Sequence, residues 1–112
     1  LFGAMTEVFE QFRKQVLNLD ASIIEEPHKF YVAYKATTNF VDVVPQAKRL
    51  RLSLNMRFDE VNDPQSICRD VSNLGRWGNG DVEVGLSSLE ELPYIMDLVK
   101  QALDLQLYNG QD

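Results

Sequence analysis

Eight consecutive residues, Arg49-Leu50-Arg51-Leu52-Ser53-Leu54-Asn55-Met56, alternate polar and apolar without a break. A two-residue period puts Leu50, Leu52, Leu54 and Met56 on one side of an extended chain and Arg49, Arg51, Ser53 and Asn55 on the other. A helix would scatter this pattern around its axis, so the segment is a strand in a sheet with one covered face and one polar face. The rest of the chain must supply the neighbouring strands and the elements that cover the leucines.

Phe30 to Thr38 and Phe40 to Val44 are rich in aromatic and β-branched residues, with Pro45 stopping the second run. Val82, Val84 and Leu86 alternate with Glu83 and Gly85, which brings the expected sheet to about four strands. Thr6 is placed to cap an amphipathic helix over about 6–18, with Phe9, Phe12, Val16 and Leu19 on one face. Ser88 and Glu91 have capping-box spacing and open a final helix running to about Leu107. Its stripe is Leu92, Ile95, Met96, Val99, Ala102 and Leu103, and Pro93 offers a later start as the alternative. Asp63-Pro64 predicts a short helix to about Val71, with Cys68 on it. Leu74 to Asp81 gathers three glycines around Trp77 and reads as a loop.

At 112 residues, 45% of them hydrophobic, the chain has room for one core and no second domain. The expected fold is α+β: a two-layer sandwich with an about four-stranded, mainly antiparallel sheet and the N- and C-terminal helices packed on one face. The absence of Met at position 1 makes 1–112 a single domain expected to be cut from a longer protein or to carry a short appended remnant at 1–5. The single cysteine excludes an internal disulfide and multi-cysteine metal sites, and fits a cytoplasmic location. No run of about 20 apolar residues is present to cross a bilayer, so no membrane partner is expected.

The net charge of −6 is unevenly spread. Residues 28–58 carry Lys29, Lys35, Lys48, Arg49, Arg51 and Arg57 against Asp42 alone, whereas residues 59–112 carry three cations against eleven acids. A basic strip on neighbouring strands can contact phosphates, with Tyr31, Tyr34 or Trp77 for base stacking, and Arg76 beside Trp77 extends it. The acidic total argues against strong nucleic-acid affinity.

Catalytic constellations are incomplete. A Cys68–His28 dyad needs two distant elements to meet. A divalent-metal nuclease needs further acids, where the chain offers only Asp42 followed by Gln46-Ala47-Lys48. Asp59-Glu60 and Glu90-Glu91 fit helix starts and solvated loops better than paired acid/base carboxylates. Gly75-x-x-Gly78-x-Gly80 lacks both the spacing and the following Lys-Ser/Thr of a P-loop. No catalytic residue, metal ligand or cofactor is therefore expected. A small-molecule pocket enclosed by Tyr31, Tyr34 and Trp77 is a further idea.

Several phrases carry a resemblance: Tyr31-Val32-Ala33-Tyr34-Lys35, Thr38-Asn39-Phe40-Val41-Asp42-Val43-Val44-Pro45, Arg49 to Asn55, Asp63-Pro64, and Trp77-Gly78-Asn79-Gly80-Asp81-Val82-Glu83-Val84. Over about residues 7–107 the chain resembles an uncharacterised bacterial family of short C-terminal α+β domains. Members carry the label "predicted transport protein" and occur with restriction or nuclease-like defence proteins. The resemblance implies no catalytic residues, and nothing in the chain answers the transport label.

The resulting expectation is a non-catalytic accessory domain of a larger bacterial nucleic-acid-acting protein. Its candidate contact residues are Lys35, Lys48, Arg49, Arg51, Arg57, Arg76 and Trp77. The alternative is a protein-interaction or oligomerisation module, in which the partner is another domain of the parent protein, a separate chain or a second copy.

Overall fold

The computed structural model describes residues 3–74 and 80–109. The chain runs α1 (Met5–Leu17), β1 (Ile24–Pro27), β2 (Val32–Lys35), β3 (Asn39–Pro45), β4 (Leu50–Leu54), β5 (Arg69–Asp70), β6 (Val82–Leu86) and α2 (Leu92–Asn109). The strands form one sheet in the order β1-β2-β3-β4-β6-β5, with every neighbouring pair antiparallel. The α+β class is as expected, but the sheet has six strands rather than about four.

Both extra strands lie at the edges and lack an alternating apolar pattern. β1 is Ile24-Glu25-Glu26-Pro27, half-exposed and closed by proline, as edge strands often are. β5 replaces the second half of the helix expected at 64–71. The helix expected there does not form, and Asp63, read as its N-cap, is instead a hub: its carboxylate accepts from the Cys68 N–H at 2.8 Å and from the Tyr94 hydroxyl of α2. Ser66 then takes φ +56°, a left-handed conformation that ends any helix. Burial acts to raise the Asp63 pKa, but the bonds from Tyr94 and from the Cys68 and Ile67 amides outweigh it and hold the carboxyl below its ordinary value.

β4 lies in the middle of the sheet, as its alternation requires. Val43↔Leu52↔Val84 and Val41↔Leu54↔Val82 are directly opposed, and Tyr34 stands opposite Val41. These residues share the inner face and join Phe12, Val16, Ile95, Leu98 and Val99 of the two helices in one buried cluster. The buried face of α1 is Met5, Val8, Phe12 and Val16, one residue round from the predicted stripe. The helix starts at Met5 after an Ala4 N-cap with no side-chain cap, so Thr6 lies inside it. At α2 a 3₁₀ turn, Leu89–Glu91, precedes the α-helix, so Pro93 falls in the first turn, where its missing N–H leaves no bond unmade. The Glu91 carboxylate accepts from the Ser87 and Ser88 amides at 2.7 and 3.2 Å, which is the acidic half of the expected capping box.

A register shift between Tyr34 and Lys35 leaves Phe40 as the extra residue of β3, and Phe40 and Val41 are both buried. Gly80 has φ +97°, and a Cβ there would lie 2.0 Å from the Leu54 carbonyl oxygen, so only glycine fits where the chain closes against the end of β4.

Candidate functional site

The outer face of the sheet carries the polar half of each strand. One row crosses all six strands in register: Glu26, Ala33, Asp42, Ser53, Glu83 and Arg69. Asp42 and Ser53, opposite each other at its centre, are buried, and Asn39 donates to Asp42 at 3.1 Å. Beside this row lie Val44, Arg51 and Gly85 on one side and Ile24, Lys35 and Asn39 on the other.

The register gives several of the candidate cations an acid. Lys35 Nζ lies 3.3 Å from Glu26, and this hydrogen bond holds the Glu26 carboxyl below its ordinary value. Arg49 donates through Nε to Gln46 at 2.9 Å, and its Nη2 lies 3.6 Å from Glu83. Arg69 reaches the same Glu83 oxygen at 4.0 Å, so this carboxylate serves two guanidinium groups. Arg57 pairs with Asp59 at 3.1 Å and with Glu60 at 3.8 Å in the 3₁₀ turn that follows β4. That places Arg57 at the opposite end of β4 from Arg49, and the two do not form one patch. Among the described residues, neither Arg51 nor Lys48 has a carboxylate within ion-pair distance. Arg76 and Trp77 lie outside the described residues.

Arg51 has a different kind of neighbour. With Phe30, Val44 and Pro45 it lines an open depression of about 300 Å³, and Phe30 is 56% exposed. The Lys29 ammonium stands 5.3 Å from the centre of the Phe30 ring, a cation–π distance. An exposed aromatic ring set between Lys29 and Arg51 combines a stacking surface with charge for phosphate. Phe30 was legible only as a strand residue; the structure leaves it in the connection between β1 and β2.

Tyr34, expected among the stacking aromatics, is fully buried on the inner face. Its hydroxyl donates to Glu25 at 2.7 Å, while Arg13 Nε donates to the same carboxylate at 2.8 and 2.9 Å. Burial first, and the Glu25 contact second, drive the Tyr34 pKa upward. A pocket enclosed by Tyr31, Tyr34 and Trp77 therefore loses Tyr34 as a wall. The Cys68–His28 pairing does not form either: His28 bonds Glu26 at 2.9 Å and stacks on Tyr31, while Cys68 sits with Asp63. Burial and the adjacent Asp63 push the Cys68 thiol up to about 12, the opposite of an activated nucleophile.

Two residues of the outer face escaped the sequence reading although their signal was present. Glu83 and Gly85 were visible as the polar side of β6, but their partner is set only by register. A Cβ on Gly85 would meet the Arg49 side chain at 3.1–3.3 Å, so the missing side chain leaves Arg49 room to cross β6 toward Glu83.

These features define an α+β domain with helices on one face of an antiparallel sheet and a mixed-charge outer face. The chain belongs to the family described as Domain of unknown function (DUF5655), which matches residues 3–106. It is 41% identical over 97 residues to an uncharacterised protein of Haemophilus influenzae, the match covering 87% of this chain and 32% of that protein. The chain thus spans about a third of the length of that relative. No solved structure matches it. Among the described residues no helix is long and apolar enough to cross a membrane.

Proposed function

We propose that this domain is a non-catalytic accessory module of a longer bacterial protein and that it holds a nucleic-acid strand against the outer face of its sheet. The observation that carries the reading is the pairing pattern of the cations. Lys35, Arg49 and Arg57 each have an acid partner, whereas among the described residues Arg51, in β4, and Lys48, in the connection that leads into it, have no carboxylate within ion-pair distance. Arg51 lines the same depression as the exposed Phe30, on which a base can stack. Among the described residues the outer face holds four cations, Lys35, Arg49, Arg51 and Arg69, against Glu26, Asp42 and Glu83, whereas the chain as a whole is acidic. The length of the Haemophilus relative, of which the match covers 32%, is what an accessory module within a longer chain requires.

The test is fluorescence polarisation of labelled single- and double-stranded DNA and RNA at about 50 and 200 mM salt. The expected result is single-strand binding that weakens steeply with salt and falls at least about tenfold in a Lys48→Glu, Arg51→Glu double variant. Phe30→Ala is expected to lower affinity at both salt concentrations by the worth of one stacked base, roughly 1–3 kcal/mol. Binding that neither salt nor these variants alter would overturn the reading. A protein-interaction module is the second reading, favoured by Ile24, 60% exposed on the edge strand β1. Light scattering across concentration tests its self-association form.

A further inference from the structure

A second feature of the outer face stands apart from the Arg51 patch. The polar ends of β1, β2 and β3 enclose a depression of about 550 Å³, within the size range of small-ligand sites. Its lining has no aliphatic side chain: Glu26, His28, Tyr31, Lys35, Thr37 and Asn39 are among its walls. At one end the His28 and Tyr31 rings stack with centroids 4.6 Å apart and planes 19° apart. In the middle the Glu26 carboxylate receives His28 Nε2 on one oxygen at 2.9 Å and Lys35 Nζ near the other at 3.3 Å. Thr37 lines the depression as well, and the Lys35 ammonium keeps further N–H donors besides the one turned to Glu26.

We propose that this depression is a binding site for a nucleoside monophosphate. The chemistry follows the order of the walls. A planar base extends the His28–Tyr31 stack, as aromatic pairs do with any flat π-system. The Glu26 carboxylate is an acceptor placed to take ribose hydroxyls, which donate well to a charged oxygen. The ammonium of Lys35 and the Thr37 hydroxyl receive the phosphate. Strand β2 carries the chain about 13 Å from Tyr31 to Lys35, comparable to the length of such a ligand. Asn39 and Asn55 brace the floor, since Asn39 donates to Asp42 at 3.1 Å and Asn55 donates to the Asn39 carbonyl at 2.8 Å. The site does not depend on the strand-binding reading, because it shares no side chain with the Arg51 depression.

The experiment is a titration of the whole domain with AMP, followed by calorimetry and by amide chemical shifts. The same titration is run with 2′-deoxy-AMP, adenosine and inorganic phosphate. The expected result is saturation by AMP at about millimolar concentration or below, with shifts centred on Glu26, His28, Tyr31, Lys35, Asn39 and Asn55. Affinity is expected to fall at least about tenfold in Lys35→Gln and in His28→Ala, to be weaker for the deoxy form, and to vanish for phosphate alone. Absence of saturation, shifts centred on Arg51 and Phe30, equal binding of phosphate, or indifference to both variants would each overturn the proposal. The wild-type shift map decides the matter if a variant fails to fold. Arg51→Glu separates the two sites: it is expected to leave AMP binding unchanged while weakening strand binding.

Discussion

Leu52 and Ser53 are neighbours in β4, and both are buried, yet they belong to surfaces built on different physics. Leu52 joins the inner face, where Val43, Val84, Ile95 and Val99 share one cluster closed by the two helices. Its stabilisation scales with apolar area removed from water and is indifferent to register by a residue pair, provided the leucines stay inside. Ser53 joins the outer face, where Glu26, Asp42, Glu83 and Arg69 stand in one row. There the pairs are partly solvated, weakened by salt, and dependent on which residue the neighbouring strand presents. The inner face therefore fixes which side of each strand is covered, and the outer face depends on the register itself.

The strongest way to break this contrast is to damage the inner face. Leu52→Ala removes a fully buried side chain from the centre of the sheet and is expected to cost about 2–5 kcal/mol in chemical denaturation. A loss below about 1 kcal/mol would mean that the leucine row is not the organising core. Tyr34→Phe is next, because it keeps the ring and deletes only the hydroxyl that donates to Glu25 at 2.7 Å. The expected loss is about 1.5–3 kcal/mol, toward the lower end because Arg13 still holds both Glu25 oxygens. Equal stability of the Phe variant would show that Arg13 alone satisfies the carboxylate.

The same contrast explains what could be read from the chain before folding. The period-two pattern from Arg49 to Met56 revealed β4 and a similar one revealed β6, because burial of one face writes itself into every second residue, while β2 and β3 showed through their aromatic and β-branched content. Edge strands bury little, so Ile24-Glu25-Glu26-Pro27 carried no such mark. Asp63-Pro64 read as the start of a helix that does not form, since the deciding partner, the Tyr94 hydroxyl, arrives from a helix thirty-one residues later. The candidate cations were visible as Lys and Arg, but which of them keep a free charge was not. That depends on Glu83 and Glu26, which strand pairing places beside Arg49 and Lys35. Phe30 and His28 took on interest only when the β1–β2 connection had a shape.

On the outer face the expected effects are smaller. Glu83→Gln removes the acid shared by Arg49 and Arg69, and the loss is expected to stay below about 1 kcal/mol and to shrink in high salt. Its second consequence sharpens the functional reading: with Glu83 neutral, Arg49 joins Arg51 and Lys48 as a cation with no carboxylate within ion-pair distance among the described residues. Oligonucleotide affinity is therefore expected to rise in Glu83→Gln. An unchanged affinity would detach Arg49 from the contact face.

The smallest effect is a pH dependence located at Glu26. Its pKa is lowered from the ordinary 4.5 chiefly by the hydrogen bond from Lys35, with His28 adding to the same direction. A carboxyl whose folded pKa is depressed contributes stability that is fully present above its unfolded value and is lost as pH falls through its folded value. Lys35→Gln removes the main cause of that depression, so wild type and variant are expected to differ at pH 7 and to converge as the solution is acidified below about pH 4. Urea midpoints at both pH values measure it. A gap that persists in acid would assign the contribution of Lys35 to its alkyl chain packed along β2 rather than to its charge, and the outer face would then be built, at that corner, on the same physics as the inner one.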